Sequence, residues 1–114
     1  MDREAILKAQ DLEVVAVSVP EWGGSAHLRV FSGIERDAIG AFYRDNEANG
    51  YEGLREFVCA LSLCDEGGKL LFDTSPADLE ILKGKSAIVL DRLMEKALQI
   101  SGLGADAVED EAKN

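Results

Sequence analysis

Residues 13–31, EVVAVSVPEWGGSAHLRVF, decide how the chain begins to fold. Glu13 to Val19 is rich in β-branched residues, and Val15, Val17 and Val19 fall on one face of an extended chain. Ser25 to Phe31 alternates again. Ala26, Leu28 and Val30 point one way and His27, Arg29 and Phe31 the other. Between the runs, Pro20 cannot donate to a strand ladder, and the pair Gly23-Gly24 permits positive φ, so the segment turns. Two alternating runs around a short loop predict an antiparallel β-hairpin, about 13–19 with 25–31.

Outward from the hairpin the period changes from two to that of helices. Upstream, Asp2 to Gln10 holds helix formers and predicts a short helix. Downstream, Ser32-Gly33-Ile34-Glu35 fits a capping box that opens a helix to about Asp45, with Ile34, Ala38, Ala41 and Phe42 as its expected buried stripe. Glu52 to Leu63 reads as a second helix because of Glu52, Arg55 and Glu56, although its run FVCALSLC also fits a buried strand, and periodicity does not separate the two. Asp65-Glu66-Gly67-Gly68 is a turn, and Lys69 to Phe72 reads as extended. Thr74-Ser75-Pro76-Ala77-Asp78 starts a helix to about Leu82, with proline in the first turn and an acid near the positive end of the dipole; Gly84 ends it. The last helix runs from about Lys85 to Ser101. Its wide stripe contains Val89, Leu90, Leu93, Met94, Ala97 and Leu98, and Gly102 suits the position after its cap. The expected fold class is therefore α+β and mainly helical: an N-terminal β-hairpin followed by a small bundle of about four helices. It forms a single domain over 1–104, with an acidic, flexible C-terminal tail over 105–114.

Composition narrows the function. The 114 residues hold 12 basic and 22 acidic side chains, a net charge of −10. A phosphate-binding protein needs the opposite balance, so nucleic acid is not an expected partner. An anionic membrane surface is disfavoured for the same reason, no apolar run approaches the length of a span, and the charged opening MDREAILKAQ does not read as a signal peptide. A hydrophobic fraction of 46% supports a packed core.

The chain offers little chemistry. One histidine and two cysteines do not make a zinc spacing, and Asp65-Glu66-Gly67-Gly68 lacks the spaced ligands of a calcium loop. Cys59 and Cys64 stand five apart, not in the Cys-X-X-Cys spacing of a thiol redox enzyme, and read as buried, reduced thiols. Gly23-Gly24 opens a strand, whereas phosphate loops open helices. No nucleophile stands with a histidine and a carboxylate. No catalytic residue, metal ligand or cofactor-binding residue is expected, and the protein reads as a non-enzyme.

The successions VSVPEWGGSAHLRVFSGIERDA, LREFVCALSLCDEGGKLLF and LKGKSAIVLDRLMEKALQISGLGADAVEDEAKN together resemble the tail assembly chaperones of long-tailed, siphovirus-type bacteriophages and prophages. The likeness runs from about Leu12 to Asn114. Its most specific pieces are Pro20-Glu21-Trp22-Gly23-Gly24, Ser32-Gly33-Ile34-Glu35-Arg36-Asp37, Cys64-Asp65-Glu66 with Gly68, and Gly84-Lys85-Ser86. The resemblance implies a protein of the host cytoplasm, absent from the mature virion, that binds and solubilises the tape measure protein and helps recruit tail tube subunits. It also implies a longer form made by a backward ribosomal frameshift, which contacts the tail tube protein. The ending Ala112-Lys113-Asn114 is compatible with a slippery A-AAA-AAC heptamer if its codons are GCA-AAA-AAC.

Surface logic selects the expected partner or self contacts. Trp22 sits at the hairpin tip, where its ring either folds back onto the sheet or stays exposed as an anchor. His27 and Arg29 lie on the hairpin, and Leu93, Met94 and Leu98 lie on the last helix, whose stripe serves either core or client. A hairpin also leaves unpaired edges, which suggests a homo-oligomer. Two other function classes compete: a structural minor tail protein retained in the virion, and an acidic adaptor or DNA mimic. Acids interleaved with bases, as in Glu35-Arg36-Asp37 and Asp91-Arg92, argue against a mimic.

Overall fold

The structure, a computed structural model, describes residues 1–103. The chain opens with helix α1 (Arg3–Lys8), capped by the Asp2 carboxylate, which accepts from the Ala5 N–H, but burying none of its residues. Strands β1 (Val14–Val19) and β2 (Gly24–Arg29) form the expected antiparallel hairpin, joined by a 3-10 turn over Pro20–Trp22. The register pairs Val15 with Leu28 and Val17 with Ala26, so the apolar alternation of both runs meets on one face.

Helix α2 (Gly33–Asp45) starts at the Ser32 cap with both arms of the capping box formed. Its buried residues are Ile39, Gly40 and Tyr43, and Ile34 is 83% exposed, which corrects the expected stripe. The cause is Glu35. Its carboxylate turns toward the sheet to meet Arg29, and the residue beside it on the first turn points to water.

The ambiguous run FVCALSLC resolves as both alternatives in succession. Helix α3 (Leu54–Ala60) ends in its middle, and strand β3 (Leu63–Cys64) follows, pairing antiparallel with β2. The helix expected through Leu63 is therefore shorter, and the sheet has three strands in the order β1-β2-β3. After β3, the Asp65 carboxylate accepts from the Gly67 and Lys69 N–H groups and tightens the return turn. Gly68 closes that turn at φ +87, where an added Cβ would also press on Val14. Leu70 then bridges back to Cys64.

Helix α4 (Pro76–Lys83) follows its Ser75 cap, and α5 (Ala87–Ile100) follows Ser86. Helix α5 ends as the sequence suggests. Gly102 takes φ +77, its N–H donates to the Gln99 carbonyl and the Leu103 N–H to the Leu98 carbonyl, and Leu103 tucks into the core. The core lies between one sheet face, contributing Val19 and Leu28, and the helices, contributing Ile39, Val58, Leu82, Leu90 and Leu93. Phe31 donates its N–H to Ser101 Oγ at 3.1 Å, which ties the end of α5 to the exit of the hairpin. The expected tail over 105–114 lies outside the described residues.

Candidate functional site

A groove of about 590 Å³ opens at the hairpin-tip end of β2. Trp22, Leu71, Phe72 and Leu82 supply apolar walls, Gly24 to His27 form one side, and Leu63, Cys64, Asp65, Glu66 and Lys85 complete it. Local sequence sets each wall. The Pro20–Trp22 turn lifts the indole to the rim, where 40% of the residue stays exposed. The Asp65–Gly68 turn carries the chain away from β2 after β3 and brings the acidic pair to the mouth.

Trp22 and His27 of the expected contact residues thus line one site. Arg29 has another role. Its Nη2 meets Glu35 Oε2 at 2.6 Å, its Nη1 donates to the Gly68 carbonyl at 3.1 Å, and both side chains of the ion pair are more than four-fifths buried. It is a strut between hairpin, turn and α2. Leu93 and Leu98, also expected as contacts, are core residues, 0% and 3% exposed, so in this chain the stripe of α5 is spent on packing and does not join the groove. Met94, at the edge of that stripe, is half-buried beside a second recess lined by Tyr51, Glu56, Lys83 and Asp91. Sequence reasoning missed Leu71 and Phe72 as groove walls. The run Lys69 to Phe72 reads as extended, but nothing local shows that it faces Trp22.

Electrostatics fixes the frame of the groove. The Arg92 Nη1 donates to Glu21 Oε1 at 3.1 Å and its Nη2 to Glu21 Oε2, which clamps α5 to the hairpin turn one residue before Trp22. The hydrogen bond from Arg92 holds the Glu21 carboxyl at about 2. Burial pushes the Cys59 thiol up to about 12 and raises Cys64 as well, so both thiols are protonated and free. Among the described residues, no group of three or more histidines, cysteines or acids is placed to hold a metal ion, and no helix is long and apolar enough to cross a membrane.

This hairpin, third strand and helical layer are a fold already seen in a phage assembly protein. The structure superposes on the bacteriophage HK97 tail assembly chaperone with a TM-score of 0.60 over 84% of this chain and 89% of that one, at 22% sequence identity. The likeness shows a shared fold, the one the sequence resemblance implies. In sequence, 98 residues are 31% identical to Lon protease 3 of Sorangium cellulosum (strain So ce56). That match takes in 86% of this chain but 9% of the length of the protease. No family model matches.

Proposed function

We propose that this chain is a tail assembly chaperone of a long-tailed phage or prophage. It binds the tape measure protein, keeps it soluble and helps recruit tail tube subunits. The observation that carries the reading is the fold shared with the HK97 tail assembly chaperone over most of both chains, together with the sequence pieces that resemble that family. The physical properties suit the task. The net charge of −10 keeps a client-loaded complex in solution, and the Trp22 groove offers a partner an apolar surface with an aromatic anchor. The role is one of binding, without catalysis, performed in the host cytoplasm and finished before the virion is complete.

Self-association belongs to the same reading. Residues on β1 alternate in the side to which their main-chain groups point, and Glu13 accepts from the Val30 N–H. Val14, Ala16 and Ser18 therefore offer their main-chain groups at the outer edge, with no proline or lysine to blunt it. A second copy can extend the sheet there. The longer, frameshifted form would contact the tail tube protein, and sequencing the codons of Ala112-Lys113-Asn114 tests the slippery heptamer.

The decisive experiment co-expresses this chain with the tape measure protein of the same phage or prophage, followed by affinity capture and size exclusion with light scattering. The expected result is a soluble complex holding several copies of this chain. An insoluble tape measure protein, with this chain recovered from finished tails, would replace the chaperone reading with that of a structural tail protein. The match to a segment of a Lon protease carries no proteolytic assignment to this chain.

A further inference from the structure

The groove beside Trp22 follows an edge of the sheet, and that edge is unfinished. The Arg29 N–H donates to the Ser62 carbonyl on the β3 side, whereas the Val30 N–H donates to Glu13 on the β1 side. Alternation along an antiparallel strand then turns the N–H and C=O of His27 and Ser25 toward β3 as well. Pairing with β3 covers His27 and Leu28 and stops there. The next partner in register for Ser25 would be Glu66, but the chain has already left the sheet: the Gly68 N–H donates to the Asp65 carbonyl at 3.0 Å within a turn. Ser25 keeps its β1 neighbour Ser18 in a pair whose main-chain groups point apart. Its N–H and C=O thus face the groove with no protein partner among the described residues. Ala26, from the core face, and Ser25 and His27, from the opposite face, all line the cavity, so the cavity wraps the strand edge and does not lie across one face.

We propose that this groove binds an extended polypeptide segment by strand addition, the segment entering in line with β3 and antiparallel to β2. This proposal deepens the chaperone reading and rests on it, since it names the conformation in which the client docks. Main-chain pairing with Ser25 supplies register, and apolar side chains of the segment meet Trp22 and Phe72. Direction follows from topology. The segment runs as β3 runs, so its N-terminal end abuts Cys64 and the carboxylates of Asp65 and Glu66, while its C-terminal end approaches Gly24. Asp65, engaged with its own turn, and the Glu66 carboxylate outweigh Lys85 among the charged groove residues, so the mouth favours a basic residue at the N-terminal end, read chiefly by Glu66 and followed by alternating β-branched residues.

The test uses the full chain and the capped peptide Lys-Val-Thr-Val-Thr-Val, with Glu-Val-Thr-Val-Thr-Val and a capped alanine-leucine helix former as controls. Trp22 emission reports binding, and amide exchange reports position. The expected result is saturable binding of the lysine peptide with slowed exchange at Ser25 and no slowing at Val14, Ala16 or Ser18. Glu66→Lys should weaken the lysine peptide about two- to five-fold, the range of an exposed ion pair, and strengthen the glutamate peptide. Ser25→Pro removes the inward donor while leaving the β1 ladder intact, and should weaken binding about five-fold or more. If Ser25→Pro does not fold, the Glu66→Lys reversal carries the test alone. Protection on β1 in place of β2, preference for the helix former, or identical affinities in Glu66→Lys would overturn the proposal. If the tape measure protein is solubilised equally by wild type and by folded Ser25→Pro, strand addition fails while the chaperone reading survives. If wild type solubilises nothing, the chaperone reading itself fails.

Discussion

Glu35 joins the hairpin to α2 through a part-buried ion pair, and its removal should show it. Its Oε2 meets Arg29 Nη2 at 2.6 Å, and its Oε1 accepts from the Ser32 N–H at 2.8 Å, while its own N–H donates to Ser32 Oγ at 3.2 Å. A hydrogen bond between charged groups contributes about 1.5–3 kcal/mol, and the reciprocal cap adds about 1 kcal/mol. Glu35→Ala should therefore destabilise by about 3 kcal/mol, a large share of the stability of a domain this small. Glu35→Gln keeps a cap acceptor and should cost less, about 2 kcal/mol. Arg29→Met retains the aliphatic stem and removes the charge, and the pair should show a coupling of about 2 kcal/mol in a double-mutant cycle. Urea unfolding followed by far-ultraviolet circular dichroism measures all four corners, and the midpoint of Glu35→Ala should fall by about 1–2 M. Additive single effects, or a loss below about 1 kcal/mol for Glu35→Ala, would refute the strut assignment. So would an Arg29→Met protein of wild-type stability that no longer binds its client, because Arg29 would then be a contact residue after all.

Other consequences are simpler to read. Leu93→Ala opens a cavity beneath α5 and should cost about 2–5 kcal/mol in the same urea assay, whereas Trp22→Ala, at the rim with part of its ring covered, should cost less, about 1–2 kcal/mol, and abolish binding of the proposed client in the protein that remains folded. The Glu21 carboxyl, held at about 2 by the hydrogen bond from Arg92, is depressed from its ordinary 4.5. Its contribution is fully present above about 4.5 and is lost as pH falls toward 2. The melting-temperature gap between wild type and Glu21→Gln should accordingly close across that window, and a gap independent of pH would show that the clamp is not formed. Burial keeps Cys59 and Cys64 protonated, so Ellman's reagent at pH 8 should find no reactive thiol in the folded protein and both thiols in guanidinium.

The parts of the fold that depend on neighbours in sequence can be read from the sequence, and the parts that depend on neighbours in space cannot. The hairpin is legible because its period, its turn residues and its register all lie within residues 13–31. Ser32-Gly33-Ile34-Glu35 and Gly102 are legible for the same reason, since a cap is satisfied within a few residues of itself. The run FVCALSLC is not. Nothing inside it says where helix gives way to strand. The switch is set by β2, whose Arg29 N–H finds the Ser62 carbonyl and whose Arg29 carbonyl accepts from Ser62 Oγ. Arg29 reads as a surface contact until Gly68, 39 positions away, and Glu35 are seen to converge on its guanidinium.

The same division explains why the candidate site is half visible. Trp22 and His27 stand out as residue types in an exposed hairpin, but a groove is a relation between segments. It exists because β3 is two residues long while β2 is six, which leaves one side of β2 unpaired over its first turn-proximal residues. The length of β3 is fixed in turn by Asp65, whose carboxylate collects the Gly67 and Lys69 N–H groups and pulls the chain out of the sheet. Asp65→Ala should release that turn. If β3 then lengthens along Ser25, the groove fills with the protein's own chain, and client binding should fall without any change at Trp22. If binding persists, the open edge of β2 is not what the client recognises.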